Sequence, residues 1–130
     1  MGAEIRILFI DDQPSFLESM SFWMKSKGYE VLIAEDGPKG IEMVRNGHAD
    51  VAFVDFKMPG MNGMDVIRKI REFDKKIPII LVTAHADDAL LYQTKDVVIS
   101  GFFSKMGNFE ELDQILDVVV RNLKKIKNEI

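Results

Sequence analysis

The 130-residue sequence contains no cysteine. A disulfide framework and a zinc site built on thiolates are therefore both excluded. Basic residues are in the minority as well, because 17 Lys and Arg stand against 21 Asp and Glu and give a net charge of −4. This charge argues against a general nucleic-acid surface, which would need an excess of positive charge.

Long apolar runs are also missing. Every uninterrupted apolar run is far shorter than the roughly 20 residues that a membrane-spanning helix needs. The N-terminal stretch MGAEIRILFIDD lacks the basic start and the cleavage site of a secretory signal. We therefore expect a cytoplasmic domain with no membrane partner. Hydrophobic residues still make up 47% of the chain, which is enough for the core of one domain of this length.

Short β-prone runs alternate with helical patterns along the chain. The predicted strands cover 5–10, 29–34, 51–54, 77–83 and 101–104. The predicted helices cover 14–28, 37–46, 63–73, 86–96 and the chain from 109 onward. Five successive βα units predict an α/β fold in which helices cover both faces of one parallel sheet.

Polar residues follow the predicted strands at their carboxyl ends, where open parallel sheets place their functional sites. They are Asp11 and Asp12 after the first strand, Asp55 after the third, Thr83 after the fourth and Lys105 after the fifth. Three carboxylates at one edge would repel one another and raise one another's pKa. Mg²⁺ would remove that repulsion, since it commonly binds one or two carboxylates together with waters. The sequence therefore predicts a Mg²⁺ site with a lysine facing Asp55.

Each of these residues also has an ordinary structural explanation. Asp11 or Asp12 could cap the helix that begins near Pro14. Asp55 could be a loop aspartate, and Thr83 a β-branched residue at a strand end. A lysine in such a position is most often solvated. A functional site is preferred because all these explanations would have to hold independently.

Four motifs, each at the end of its own predicted strand, form a specific combination. They are DD at 11–12, D-x-x-M-P-G-M-N-G at 55–63, T-A at 83–84 and K at 105. This combination resembles the receiver domains of two-component response regulators, over the chain up to about residue 122. The resemblance implies a flavodoxin-like (βα)5 fold with strand order 2-1-3-4-5. It also implies a phosphoprotein of a phosphorelay that carries an aspartyl phosphate and is not itself an enzyme.

The resemblance implies a role for each residue of the site. Asp55 would accept a phosphoryl group from a sensor histidine kinase, a phosphotransfer protein or a small phosphodonor, and would contact Mg²⁺. Asp12 would bind Mg²⁺ directly and Asp11 through a water. The backbone carbonyl of Lys57 would be a further ligand, and Lys105 would pair with the phosphoryl oxygens.

The resemblance also implies a switch and a control of phosphate lifetime. The Thr83 hydroxyl would move to the phosphoryl group, and Phe102 would then turn inward. The face formed by the fourth predicted helix, the fifth strand and the last helix would change with it. Lys57 and His85 lie two residues beyond Asp55 and Thr83, where they would flank the hydrolytic water. The alternative is that these two side chains point to solvent.

Two features depart from the family pattern. Met106 follows Lys105 where most receivers have proline. We expect a trans bond and an altered loop there, because a non-proline cis bond costs about 2.5–4 kcal/mol. The segment before the fifth strand is unusually apolar, with Val97, Val98 and Ile99 in succession. This indicates either a partner-binding face or better core packing.

The last predicted helix has a marked start and a long apolar stripe. Asn108 and Glu111 have the spacing of a capping box. The stripe follows a 3,4 spacing at Phe109, Leu112, Leu116, Val119, Leu123, Ile126 and Ile130. If the receiver body covers 1–122, Leu123 and the apolar residues after it have no core to bury them. We therefore predict that 123–130 continue the helix, to form a homodimer or to lead into an effector domain; the alternative is a solvated tail.

Rival functional classes lack their motifs. Neither G-x-G-x-x-G nor G-x-x-x-x-G-K occurs, so a nucleotide-binding loop is not supported. An aspartate-nucleophile phosphatase would usually have a second aspartate at the position of Lys57. The serious alternative is a pseudo-receiver that folds alike without being phosphorylated. It would discard the acid pair or the lysine, and this chain has both.

Overall fold

Five short apolar segments form the sheet that organises the chain. The computed structural model describes residues 4–84 and 95–128, with side chains up to residue 124. The strands are β1 (Arg6–Ile10), β2 (Glu30–Ala34), β3 (Val51–Asp55), β4 (Ile79–Thr83) and β5 (Gly101–Ser104). The helices within these ranges are α1 (Pro14–Ser26), α2 (Gly37–Arg45), α3 (Gly63–Arg71) and α4 (Phe109–Asn128). No helix in the described part of the chain is long and apolar enough to cross a membrane.

The predicted elements agree closely with the structure. Where both ends can be compared, they move by only one or two residues. The helix predicted over 86–96 falls outside the described residues, except that 95 and 96 lie in a turn. The strands pair in parallel in the order β2-β1-β3-β4-β5, which confirms the flavodoxin-like fold.

The strand register brings the carboxyl ends together. Ile10 lies opposite Val54, Asp55 lies opposite Val82, and Thr83 lies opposite Ser104. Because neighbouring strands of a sheet are only about 4.8 Å apart, side chains that follow these positions meet at one edge. The register therefore gathers the polar residues that the sequence placed after β1, β3, β4 and β5.

The core lies on both faces of the sheet. Successive side chains of a strand point to opposite faces, so Leu8 and Ile10 enter the cluster that also holds residues of α2 and α3. Ile7 and Phe9 enter the cluster shared with α1 and α4. Burial on both faces explains why β1, β3 and β4 read as continuous apolar runs rather than alternating ones.

Side-chain caps fix the starts of three helices. Asp36 accepts the N–H of Lys39 at 2.8 Å, and Asn62 accepts the N–H of Asp65 at 3.0 Å. Asn108 accepts the N–H of Glu111 at 2.9 Å, which confirms the predicted cap of the last helix. Each oxygen satisfies a backbone donor that the first helical turn leaves without a partner. These caps set where the loops of the carboxyl edge end.

Neither Asp11 nor Asp12 is the N-cap residue of α1, so the helix-cap explanation for these two aspartates is wrong. The N-cap residue is Gln13, which makes no side-chain cap, and Pro14 opens the helix. Proline suits this position because its fixed φ matches the helix and its missing N–H would have no helical partner there. Both aspartates are therefore available for contacts other than helix capping.

The apolar segment before β5 is held against α3. Val97 and Ile99 are half-buried against the core, whereas Val98 is 69% exposed. The buried Arg71 guanidinium donates from Nε and Nη2 to the Val98 carbonyl, at 3.1 and 2.8 Å. Arg68 also pairs with Asp96 at 3.1 Å. Core packing thus accounts for two of the three apolar side chains, and Val98 alone faces solvent.

The C-terminal helix α4 packs through the predicted stripe. Leu112, Leu116 and Val119 are buried in the core. Phe109 stacks on Trp23 with ring centroids 5.2 Å apart. Leu123 is half-buried and packs against the same cluster, although we expected it to have no core contact. The helix is long enough to carry Leu123 back over the sheet, and the side chains of Ile126 and Ile130 lie outside the described residues.

Candidate functional site

Three carboxylates meet at the carboxyl edge of the sheet. Oxygens of Asp11, Asp12 and Asp55 all lie within 4.8 Å of one another. Asp11 and Asp55 are only 2% and 4% exposed, whereas Asp12 is exposed. One Asp11 oxygen accepts the N–H of Gln13 at 2.9 Å, and the other is buried without a hydrogen-bond partner. Three carboxylates share the single ammonium of Lys105, so the cluster is short of positive charge.

Lys105 supplies the positive charge that reaches this cluster from β5. Its Nζ lies 3.2 Å from Asp55 Oδ2, to which it donates a hydrogen bond. It also lies 3.1 Å from Asp11 Oδ2, as an ion pair without directed hydrogen-bond geometry. The described residues contain no cis peptide bond, so the Lys105–Met106 bond is trans, as expected. With this geometry the lysine still reaches Asp55, and its side chain is only 13% exposed.

The electrostatics of Asp55 follow from this crowding. Burial and the nearby charge of Asp11 raise the pKa of the Asp55 carboxyl to about 6. Lys105 and a hydrogen bond from the Lys57 backbone oppose that shift without cancelling it. A cation bound among the three carboxylates would favour their charged forms. Carboxylate oxygens and the acceptor of Asp11 that lacks a hydrogen bond fit Mg²⁺, a hard cation that prefers oxygen ligands.

The loop after Asp55 turns straight into α3. Gly60 has φ +81°, a left-handed conformation that side chains disfavour. Gly63 serves a different purpose, because a Cβ there would collide with the backbone oxygen of Asp55. Its N–H donates to the Phe56 carbonyl at 2.8 Å. The glycines thus let the first turn of α3 approach β3 closely and keep the backbone around Lys57 beside the carboxylates.

The remaining predicted residues take different positions. Thr83 is buried at the end of β4, and its carbonyl accepts the Lys105 N–H at 2.9 Å. Phe102 is half-buried, whereas Phe103 is a core residue, as the sequence indicated. Lys57 has an exposed side chain. His85 lies outside the described residues.

Two residues at the site were missed by sequence reasoning. The Gln13 side-chain oxygen accepts a hydrogen bond from Lys105 Nζ at 2.5 Å. The Phe16 ring centroid lies 4.8 Å from the same nitrogen. Their sequence signal is weak: Gln13 directly follows the acid pair, and Phe16 is three residues further on, on the same side of α1.

Comparison with known proteins decides the family. Residues 7–117 match the family model of the response regulator receiver domain. The chain belongs to that family. This receiver domain is 36% identical over 94 residues to the DNA-binding response regulator MtrA of Mycolicibacterium smegmatis, covering 72% of this chain and 38% of MtrA. It is 31% identical over 116 residues to a cyclic di-GMP phosphodiesterase of Thermotoga maritima, covering 89% of this chain and 31% of that protein.

Solved structures agree with this assignment. The receiver domain superposes on the Vibrio cholerae chemotaxis protein CheY4 with a TM-score of 0.84 and 28% identity, over 90% of this chain and 99% of that one. The chain spans 38% and 31% of the two curated relatives, so what those whole proteins do is not carried over with the domain. Membership makes the chain a receiver domain of a two-component response regulator, a family whose domains are generally not catalytic enzymes.

Proposed function

We propose that this receiver domain accepts a phosphoryl group on Asp55, with Mg²⁺ held by Asp12, Asp11, Asp55 and the Lys57 carbonyl. One observation carries the proposal. Asp55 is a buried carboxylate with two other carboxylates within 4.8 Å and the Lys105 ammonium at 3.2 Å. Such an arrangement is unfavourable for stability alone, because the charge is desolvated and only partly paired. It suits a nucleophile that must meet a phosphoryl group and a cation.

The transfer needs positioning and neutralisation of charge more than covalent assistance. Above the Asp55 pKa of about 6 the carboxylate is ionised. One of its oxygens forms a bond to phosphorus while the donor's bond to phosphorus breaks, and the donor leaves with that electron pair. Bound Mg²⁺ would supply positive charge to the phosphoryl oxygens. Lys105, already beside Asp55, supplies a second positive charge to the same oxygens.

The two neighbouring aspartates are proposed to differ in their metal contacts. Asp11 already binds the Gln13 N–H through one oxygen and pairs with Lys105 through the other. Asp12 is exposed on the solvent side of the cluster. We therefore assign the direct contact to Asp12 and a water-mediated one to Asp11.

A shift of one phosphate in intact mass tests the proposal. Acetyl phosphate or phosphoramidate with Mg²⁺ should add one phosphate to the wild-type protein and none to Asp55→Asn. Asp65→Asn is the matched control, because Asp65 is an exposed aspartate at the start of α3. If neither donor adds phosphate to a folded wild-type protein that binds Mg²⁺, the pseudo-receiver alternative replaces this proposal.

The output would be a conformational switch. A phosphoryl group adds about −1.5 to −2 charges and three acceptor oxygens. Thr83 follows Val82, which lies opposite Asp55 in the register, and its hydroxyl would be drawn towards that group. Phe102 lies beside Leu81 in the register and would turn inward as Thr83 moves. The surface that would change is the one formed by the helix predicted over 86–96, β5 and α4.

Partners follow from this chemistry. The phosphoryl group would come from a sensor histidine kinase or from a phosphotransfer protein, and we propose that the domain acts in the cytoplasm. The output would pass to an effector domain or a separate partner protein, as the names of MtrA and the phosphodiesterase suggest for those relatives. We propose no direct contact of this domain with nucleic acid, in keeping with its net charge of −4.

The C-terminal end is proposed to serve the output. We keep the receiver body at 1–122 and treat 123–130 as a continuation of α4 that forms a homodimer or leads into an effector domain. Leu123, the first residue of this continuation, still contacts the core. Truncation after Asn122 should weaken self-association in sedimentation experiments. A full-length chain that stays monomeric at high concentration would leave only the linker role.

A further inference from the structure

The tip of Lys105 has two kinds of partner. The charged partners are the carboxylates of Asp11 and Asp55, at 3.1 and 3.2 Å from Nζ. The uncharged partners are the Gln13 amide oxygen at 2.5 Å and the Phe16 ring at 4.8 Å. The first pair belongs to the proposed metal site and the second pair does not.

A metal ion would weaken only the first kind of partner. A divalent cation among the carboxylates attracts their oxygens and repels a neighbouring ammonium. The hydrogen bond to an amide oxygen and the attraction to an aromatic face involve groups without charge, so neutralising the carboxylates does not cancel them. Gln13 and Phe16 therefore stay available to the ammonium when the two ion pairs are weakened.

The backbone of Gln13 and the ring of Phe16 are both held in place. The Gln13 N–H donates to Asp11 Oδ1 and its carbonyl accepts the Leu17 N–H, so its backbone is fixed where α1 begins. The Phe16 ring packs edge-on against the buried Phe9, with centroids 6.5 Å apart. A lysine side chain loses much rotamer freedom when its tip is fixed, and a fixed backbone at Gln13 together with a packed ring at Phe16 lowers the remaining cost.

We propose that Gln13 and Phe16 are positioning residues that keep the Lys105 ammonium at the mouth of the site once a divalent cation occupies the carboxylates. The inference rests on the proposed function, since it assigns the two residues a task in phosphoryl transfer. They hold the lysine where an incoming phosphoryl group arrives and do not themselves touch that group. Without these two residues the ammonium would move into solvent, and it would have to return to the site before each phosphoryl transfer.

NMR of the Lys105 side chain tests this without any phosphorylation. The Phe16 ring should shift the Lys105 ε-protons upfield, and loss of the signal in Lys105→Arg assigns it. In the wild-type protein the upfield shift should persist when Mg²⁺ saturates the site. In Gln13→Met the upfield shift should disappear when Mg²⁺ is added. In Phe16→Leu the upfield shift should be absent even without Mg²⁺.

Matched controls separate positioning from general damage. Gln114→Met repeats the Gln→Met change at an exposed glutamine of α4. Phe22→Leu repeats the Phe→Leu change at a phenylalanine of α1 that is 80% exposed. Both should behave as wild type. Phosphorylation by acetyl phosphate should be about tenfold slower in Gln13→Met, as expected when a hydrogen bond to a charged group is lost.

The possible results distinguish this inference from the function it rests on. If the upfield shift collapses in the wild-type protein on Mg²⁺ addition, or survives in Gln13→Met, the positioning role is wrong even though Asp55 accepts phosphate. If the protein binds no Mg²⁺, the proposed function fails first. Normal phosphorylation rates in Gln13→Met with a displaced lysine would also overturn the role, because position would then have no effect on transfer.

Discussion

The two edges of the sheet each hold an aspartate next to a basic residue, and they differ in how charge is balanced. At the amino edge, the two oxygens of Asp50 accept the backbone N–H, Nε and Nη2 of Arg6 at 2.9–3.2 Å. At the carboxyl edge, three carboxylates share the ammonium of Lys105, and one buried oxygen of Asp11 lacks a hydrogen bond. The carboxylate at the amino edge is fully paired, whereas the carboxyl edge has an excess of negative charge that a bound cation would balance.

The balance of charge around an aspartate helps to distinguish a residue that stabilises the fold from a candidate functional residue. A guanidinium that binds a carboxylate at two points is specific and self-sufficient. Burial, together with the nearby negative charge of Asp11, raises the pKa of Asp55 and costs stability. A buried group kept at such a cost is a candidate for function. The contrast leads to five predictions, ordered by the size of the effect.

The largest effect should be on Mg²⁺ affinity. Asp12→Ala should weaken binding by about 100-fold and Asp11→Ala by about tenfold, because a residue that acts through a water contributes less than a direct ligand. Isothermal titration calorimetry measures both. Asp50→Ala, at the amino edge, should leave the affinity unchanged. Equal losses in the two carboxyl-edge variants would overturn the assignment of the direct contact to Asp12.

The next effect concerns stability without metal. Asp55 binds more protons in the folded state between its ordinary pKa of 3.8 and its raised value of about 6. Its ionisation therefore destabilises the fold as pH rises through that window, and the cost is fully present above it. Asp55→Asn should raise the free energy of unfolding by about 2 kcal/mol at pH 7.5, with the gain vanishing below pH 4.

At the amino edge, removal of the aspartate charge should change the free energy of unfolding in the opposite direction. Asp50→Asn should lower the free energy of unfolding by about 1 kcal/mol, because it removes a charged partner of a half-exposed arginine. Urea unfolding at several pH values compares the two variants directly. A stabilising effect at Asp50, or none at Asp55, would remove the distinction between the edges.

A smaller effect should follow from Thr83→Ala. The variant should still accept phosphate on Asp55 but lose much of the conformational response, since no hydroxyl remains to follow the phosphoryl group. NMR chemical-shift changes on phosphorylation across residues 97–106 measure that response. Changes as large as those of the wild-type protein would show that the coupling runs through other groups.

The smallest effect is on phosphate lifetime. Lys57 is exposed two residues beyond Asp55, long enough to cover the phosphoryl group and neutralise it. Lys57→Ala should hasten dephosphorylation about threefold, a loss comparable to one weak exposed ion pair. The half-life of the phosphorylated protein after donor removal measures it, with Lys76→Ala as the exposed control. Equal half-lives in wild type and Lys57→Ala would mean that the side chain points to solvent.

The sequence predicted the fold well because its signals are local. Apolar runs, Pro14 and the cap at Asn108 each mark an element within a few residues. The strand order came only with the family resemblance, since periodicity does not say which strands are neighbours. The polar residues of the site were found because all of them follow strands of one parallel sheet, so one rule placed them together.

The contacts that were missed depend on long-range geometry. Gln13 meets Lys105 across 92 positions of the chain, and nothing in either local pattern encodes that encounter. Leu123 was expected to lack a core contact because the domain end was set by resemblance rather than by the length of α4. Val97 and Ile99 pack inward, whereas Val98 is exposed. Three consecutive apolar residues in the sequence do not indicate which of them is buried.

The most direct test of the account is the location of the phosphate. Borohydride reduces an aspartyl phosphate to homoserine, which peptide mass spectrometry assigns to a position. After incubation with acetyl phosphate and Mg²⁺, homoserine should occur at position 55 alone, and chelation of Mg²⁺ before phosphorylation should prevent it. Homoserine at position 11, 12 or 50, or none in a folded protein that binds Mg²⁺, would contradict the account.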